Sequence, residues 1–212
     1  MKFSEYKIFI NGRWSLEDLY VFPRAYEQVY FVLEALAPLD EPGDEERIDR
    51  AFNAFPWRGG YSAVSFYNTL RYATPKRFRP EIRAIKYASP GFINLLLNLP
   101  QAIQAAAVVS SVAGAIVTTN KVYHDIYTGL QKRELLRIEI ERKRLKLELE
   151  QLQFVQASTK KLATILGVKS IKKLNERTGD PLVSLKILLS AYRRVRTLAE
   201  YVNAGKAEFP PE

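Results

Sequence analysis

Apolar residues alternate at the start of the chain, with Tyr6, Ile8 and Ile10 on one side of FSEYKIFI. A period of two is the pleat of a strand, and Asn11-Gly12 supplies a turn to end it. The period then lengthens. Leu19, Phe22, Tyr26, Val29, Tyr30 and Leu33 recur at three- and four-residue intervals, which predicts a helix from Ser15 to about Leu36. Ser15 with Asp18 three residues on has the form of an N-terminal cap, and Pro23 predicts a kink. Pro38, Pro42 and Gly43 mark a linker, after which Asp44 caps a short acidic helix. FPWRGGYS reads as a loop. Ala63, Val64, Tyr67 and Leu70 place a helix over 62–72, and Glu81–Ala88 predicts a second strand, stopped by SPG.

From Tyr87 to Asn120 there is no charged residue. About 20 apolar residues span a bilayer core, so the stretch has the length of a membrane segment. Ala102, Ala106, Ser110 and Gly114 form a line of small residues at four-residue spacing, the kind that lets helices approach closely in lipid. Against insertion, Pro100 belongs in the first turn of a new helix with Asn98 as its cap, which breaks the stretch in two. Gln101, Gln104, Ser111 and Thr118 also form a weakly polar stripe. The expectation is a helix buried in protein, with membrane insertion as the alternative.

Residues 130–155 are rich in Leu, Glu, Lys, Arg and Gln, all good helix formers. Arg137–Glu141, Glu139–Lys143, Arg144–Glu148 and Lys146–Glu150 have ion-pair spacing on a helix, and Leu135, Ile138, Leu145, Leu149 and Leu152 follow a three–four pattern. One long charged helix is expected, packed in a hairpin or a coiled coil. Beyond it, LATILGVKSIKKL has the outline of two helices joined at Gly167, as in helix-turn-helix and helix-hairpin-helix units, though Gly167 is equally a C-terminal cap. Asp180 and Pro181 open a terminal helix whose Leu185, Leu188, Leu189, Tyr192, Val195 and Leu198 face a core.

Composition adds two asymmetries. Of 25 aromatic residues, 19 lie within residues 1–92, which predicts an aromatic core for that part. The net charge of +9 is unevenly spread: residues 1–56 carry six basic and eleven acidic residues, and residues 157–212 carry eleven and five. Such polarity fits self-association or a charged partner. Lys160, Lys161, Lys169, Lys172, Lys173, Arg193, Arg194 and Arg196 are the candidate phosphate contacts if that partner is a nucleic acid. Without cysteine there are no disulfides and no thiolate chemistry. His124 is the lone histidine, no metal-ligand spacing is visible, and the glycines of WRGGYS lack the lysine of a phosphate-binding loop. No catalytic residue, metal or cofactor is assigned.

The stretches RWSLEDLYVFPRAYEQVY, FPWRGGYS, KYASPGFINL and DPLVSLKILLSAYRRVRTLAEY resemble features of a group of bacterial proteins of unknown function. The resemblance implies a bacterial, cytoplasmic setting and carries no activity. The whole reads as an α+β protein in three parts: a small aromatic-rich α/β head of about two strands over 1–90, an uncharged helix and a long charged helix over 91–156, and a basic helical module over 157–212. Its expected role is binding and assembly, as a homo-oligomer or with a protein partner, with nucleic acid on the basic end. The alternative is an inner-membrane-associated effector that inserts residues 92–120.

Overall fold

The computed structural model describes residues 3–37, 42–53, 60–136 and 147–210. The fold is α+β and helix-rich, with one four-stranded antiparallel sheet. Two units are built from segments distant in sequence. One comprises Met1–Glu34, Pro75–Ile116 and Arg193–Glu212, and the other Ala35–Thr74 and Val117–Tyr192.

The first unit holds the sheet. In β1 (Phe3–Ile10) the alternation buries Tyr6, Ile8 and Ile10. After Gly12, which takes a left-handed φ of 71°, α1 (Leu16–Leu36) begins with the reciprocal cap its sequence predicts. Asp18 N–H donates to Ser15 Oγ at 3.0 Å and Ser15 N–H donates to Asp18 Oδ2 at 2.7 Å. The chain stays in one helix through Pro23. Strands β2 (Glu81–Lys86) and β3 (Gly91–Asn98) form a hairpin, and β4 (Ala207–Glu208) pairs with the end of β1. Spatial order is β2-β3-β1-β4. With α1 between β1 and β2, and α4 (Leu99–Gly114) after β3, this is a split β-α-β arrangement.

Two strands more than expected are therefore present. The uncharged stretch does not begin as a helix: after a turn over 87–90 it forms the strand β3, which lies between β2 and β1. Ile93, Leu95 and Leu97 line the buried face opposite Ile8, Tyr6 and Ser4, while Phe92 and Leu96 on the other face are half-buried. An interior strand with apolar residues on both faces loses the alternation that reveals an edge strand. The two-residue β4 is too short to leave any pattern. The C-terminal segment closes the unit through aromatic rings. Trp14 stacks on Tyr201 at 5.4 Å, Tyr26 stacks on Phe209 at 6.1 Å, and Tyr6 OH donates to the Pro210 carbonyl at 2.9 Å.

The second unit is helical, with α2 (Pro42–Asn53), α3 (Gly60–Ala73), α5 (Ile116–Lys132), α6 (Leu149–Ile165), α7 (Ile171–Thr178) and the first half of α8 (Pro181–Asn203). The short acidic helix and the helix over 62–72 are present, but the former starts at Pro42, so Asp44 lies in its first turn instead of capping it. A continuous helix over 130–155 is not. Residues 133–136 turn, Leu135 N–H bonds the Leu130 carbonyl at 2.9 Å, and α6 starts afresh at a cap in which Glu148 and Gln151 bond each other's backbone. High helix propensity along this segment gave no sign of where it stops, because propensity says nothing about which turn packing requires. The four expected ion pairs, together with Ile138 and Leu145 of the leucine pattern and most of the FPWRGGYS loop, involve residues outside those described.

Packing in this unit is close. Tyr123 stacks on Tyr192 at 5.2 Å, and the Tyr192 hydroxyl bonds Asn120 Oδ1 at 2.9 Å. A Cβ at Gly129 of α5 would fall 2.6 Å from Phe154 Cε2 of α6, so the glycine permits the two helices to meet there. The terminal helix opens as predicted: Leu182 N–H donates to Asp180 Oδ1 at 2.7 Å, and Leu185, Leu188, Leu189, Tyr192, Val195 and Leu198 are all buried.

Candidate nucleic-acid interface

The basic residues singled out in the sequence fall in two groups. Lys160, Lys161, Lys169, Lys172 and Lys173 belong to the helical unit, and Arg193, Arg194 and Arg196 to the sheet-containing unit.

In the helical unit the two expected helices around Gly167 are present. α6 ends in a left-handed glycine, Gly167 at φ 62°, with Val168 N–H on the Ala163 carbonyl at 2.9 Å and Gly167 N–H on that of Thr164 at 3.3 Å. This is the paired hydrogen bonding of a glycine C-cap. The next helix follows at once, because Ser170 Oγ accepts Lys173 N–H at 3.1 Å and caps α7. Lys160 and Lys161 near the end of α6, and Lys169 and Lys172 around the start of α7, are exposed. The first three make no ion pair among the described residues. Lys172 reaches Glu176 one turn on at 3.7 Å, an exposed pairing worth little.

Lys173 is different. Its ammonium lies 3.2 Å from Glu45 of α2, beside the buried Arg177. Arg177 is 4% exposed. One guanidinium nitrogen meets Glu45 Oε1 at 3.0 Å, its Nε meets Asp49 Oδ1 at 3.1 Å, and another N–H donates to the Ala35 carbonyl. A planar fork of donors suits such a threefold contact. Lys173 and Arg177, in that order, hold the Glu45 carboxyl below its usual range. These residues line a cavity of about 330 Å³, with Asn53, Ser170, Lys172 and Glu176 completing the wall. Glu45 and Asp49 of α2 are thus engaged by the inner side of α7, and Lys173 belongs to that clamp more than to a free basic surface.

Among the arginines of the other unit, Arg193 is exposed, Arg194 Nε donates to Gln28 Oε1 at 2.6 Å, and Arg196 Nε lies 3.4 Å from Glu200. Of the small-residue line, Ala102 and Ala106 are buried, whereas Ser110 and Gly114 are exposed. α4 also buries Ala105, Val108, Val109, Val112 and Ala113. The helical run breaks at Ala115, with φ −122° and ψ 28°, and no single helix among the described residues is long and apolar enough to cross a membrane.

Among the described residues, three buried acidic or basic side chains are neither predicted helix caps nor candidate phosphate contacts. Glu34 and Asn98 are buried beside Tyr30: Asn98 Nδ2 donates to Glu34 Oε2 at 3.2 Å, Asn98 N–H donates to Tyr30 OH at 3.2 Å, and Tyr30 OH donates to the Phe78 carbonyl at 2.9 Å. Burial pushes the Glu34 carboxyl up to about 7, against the lowering effect of Asn98 and Tyr30 beside it. Asn98 occupies the capping position of α4 as expected, but its side chain makes no capping bond and turns to Glu34 instead. Burial likewise brings Lys186 of α8 down to about 8, with Asp180 acting the other way. Arg177 is the third. A signal existed for each: Glu34 follows Tyr30 by one helical turn, Arg177 follows Leu174 on a short buried stripe, and Lys186 sits between Leu185 and Ile187.

No family model, curated protein or solved structure matches the chain.

Proposed function

We propose that the protein is a non-enzymatic binding protein that holds the phosphate backbone of a nucleic acid on the lysines flanking the turn between α6 and α7. The observation that carries this reading is the division of labour on those two helices. Lys173 and Arg177 face inward and hold Glu45 and Asp49 of α2, while Lys160, Lys161 and Lys169 remain exposed without an acidic partner among the described residues, and Lys172 is exposed as well. Exposed lysines attract a polyanion by releasing its counterions, and this attraction needs no base contact. The setting that goes with this reading is cytoplasmic.

The test is anisotropy of labelled single- and double-stranded oligonucleotides against salt. Replacing Lys160, Lys161, Lys169 and Lys172 by Gln should weaken binding. It should also flatten the dependence of log K on log salt, by roughly 0.9 for each duplex phosphate no longer neutralised. Binding and slope unchanged by all four replacements defeat the proposal.

One observation favours the second reading, a membrane-associated protein: α4 and α5 together have the length and composition of a span, although broken at Ala115. Fractionation with an alkaline carbonate wash separates the two readings. Protein held in the washed membranes supports insertion, and protein released from them supports the binding role.

A further inference from the structure

Strand β2 is an edge of the sheet, and all six of its residues are exposed. Its register on β3 aligns Ile82 with Leu95 and Ile85 with Ile93, on the buried face, yet Ile82 and Ile85 remain 55% and 51% exposed. Glu81 aligns with Leu96 and Lys86 with Phe92, on the opposite face, and the irregularity between Ile82 and Ala84 leaves Arg83 as the extra residue. The order Glu-Ile-Arg-Ala-Ile-Lys is self-complementary when read against itself in the reverse direction. Only one antiparallel register achieves this. Ile82 then stands opposite the partner's Ile85, Glu81 opposite the partner's Lys86, and Arg83 opposite the partner's Ala84. A two-fold axis through the strand pair repeats each match and keeps the isoleucines on one face and the charges on the other.

We propose that a second copy of this chain adds its β2 to this edge in that register, so that the sheet continues from one copy into the next. An exposed edge is a template for pairing, and directly opposed apolar and opposite-charge pairs are what stabilise it. A slip of one residue would set isoleucines against charges on the wrong face, so the pattern admits a twin and disfavours indiscriminate strands.

Sedimentation velocity on the full chain over a hundredfold concentration range tests this. The wild-type chain should dimerise reversibly. Lys86→Glu, which sets glutamates opposite one another at both ends, should weaken the dimer about tenfold or more. The exchange Glu81→Lys with Lys86→Glu should restore it. Both positions are exposed, so matching thermal melts of all three proteins will show that folding is intact. A wild-type chain that stays monomeric throughout overturns the proposal. So does a dimer indifferent to Lys86→Glu, or one that the double exchange fails to restore.

Discussion

Asn98 Nδ2 lies 3.2 Å from Glu34 Oε2, with both side chains buried, and the groups that meet this carboxyl are a neutral amide and a tyrosine hydroxyl. A buried carboxyl held by neutral groups favours its protonated form. Its folded-state value of about 7 stands above the ordinary value of 4.5. The unfolded chain therefore releases this proton first as pH rises. Stability from this group is complete below about pH 4.5 and is lost progressively up to about pH 7. At 1.36 kcal/mol per unit the loss is at most about 3 kcal/mol. Urea unfolding at pH 5 and at pH 7 should show the decline, and Glu34→Gln should abolish it. Lys186 acts with the opposite sign at higher pH, because its depressed value means that stability returns as pH rises above about 8.

Arg177 is the strongest candidate for a single residue on which the α2–α7 contact depends. Removing it leaves Glu45, Asp49 and the Ala35 carbonyl without their common donor. Breaking a fully buried ion pair from one side costs about 3–5 kcal/mol; here Glu45 and Asp49 are 44% and 42% exposed and Glu45 keeps Lys173, so the loss falls below that range. Arg177→Met should lower the midpoint of thermal unfolding accordingly. Arg177→Lys should recover little, because one ammonium cannot reproduce a guanidinium fork.

Gly129 offers a test whose sign reverses. Gly129→Ala gains helix propensity of about 1 kcal/mol but drives a methyl group into the Phe154 ring, and overpacking of this kind costs about 1–3 kcal/mol. The substitution should be neutral to destabilising in the natural chain. In a Phe154→Ala background the ring is gone, and the same substitution should stabilise by about 1 kcal/mol. A double-mutant cycle followed by denaturant titration measures the coupling.

Asp180 caps α8 through Leu182 and Val183, whose N–H groups lie 2.7 Å and 3.3 Å from its Oδ1. Asp180→Ala should cost about 1–2 kcal/mol, and Asp180→Asn or Asp180→Ser should retain most of the stability, since each keeps an oxygen at the cap. Chemical denaturation of the three variants provides the comparison.

Local signals carried much of the architecture. The alternation of Tyr6, Ile8 and Ile10, the Ser15–Asp18 cap, the Asp180-Pro181 start and the leucine spacing of α8 each depend on neighbours within a few residues, so they are visible along the chain. The α+β class followed from these. The interior strand β3 was hidden because being covered on both faces removes alternation, and the break after Lys132 was hidden because good helix formers run on past it. The candidate surface was half legible. Eight basic residues could be named, but not which ones an acid already held. Lys173 and Lys172 are adjacent in sequence, yet the path of α2, more than a hundred residues earlier, places Glu45 against the first and leaves the second exposed. Glu34 shows the same limit, since its burial beside Asn98 joins a helix to the end of a strand 64 residues later. Sequence by itself determined periodicity, caps and the inventory of charges. Tertiary structure alone decided which charges are buried and which are paired, because desolvation and Coulomb attraction act on distances in space that chain separation does not specify.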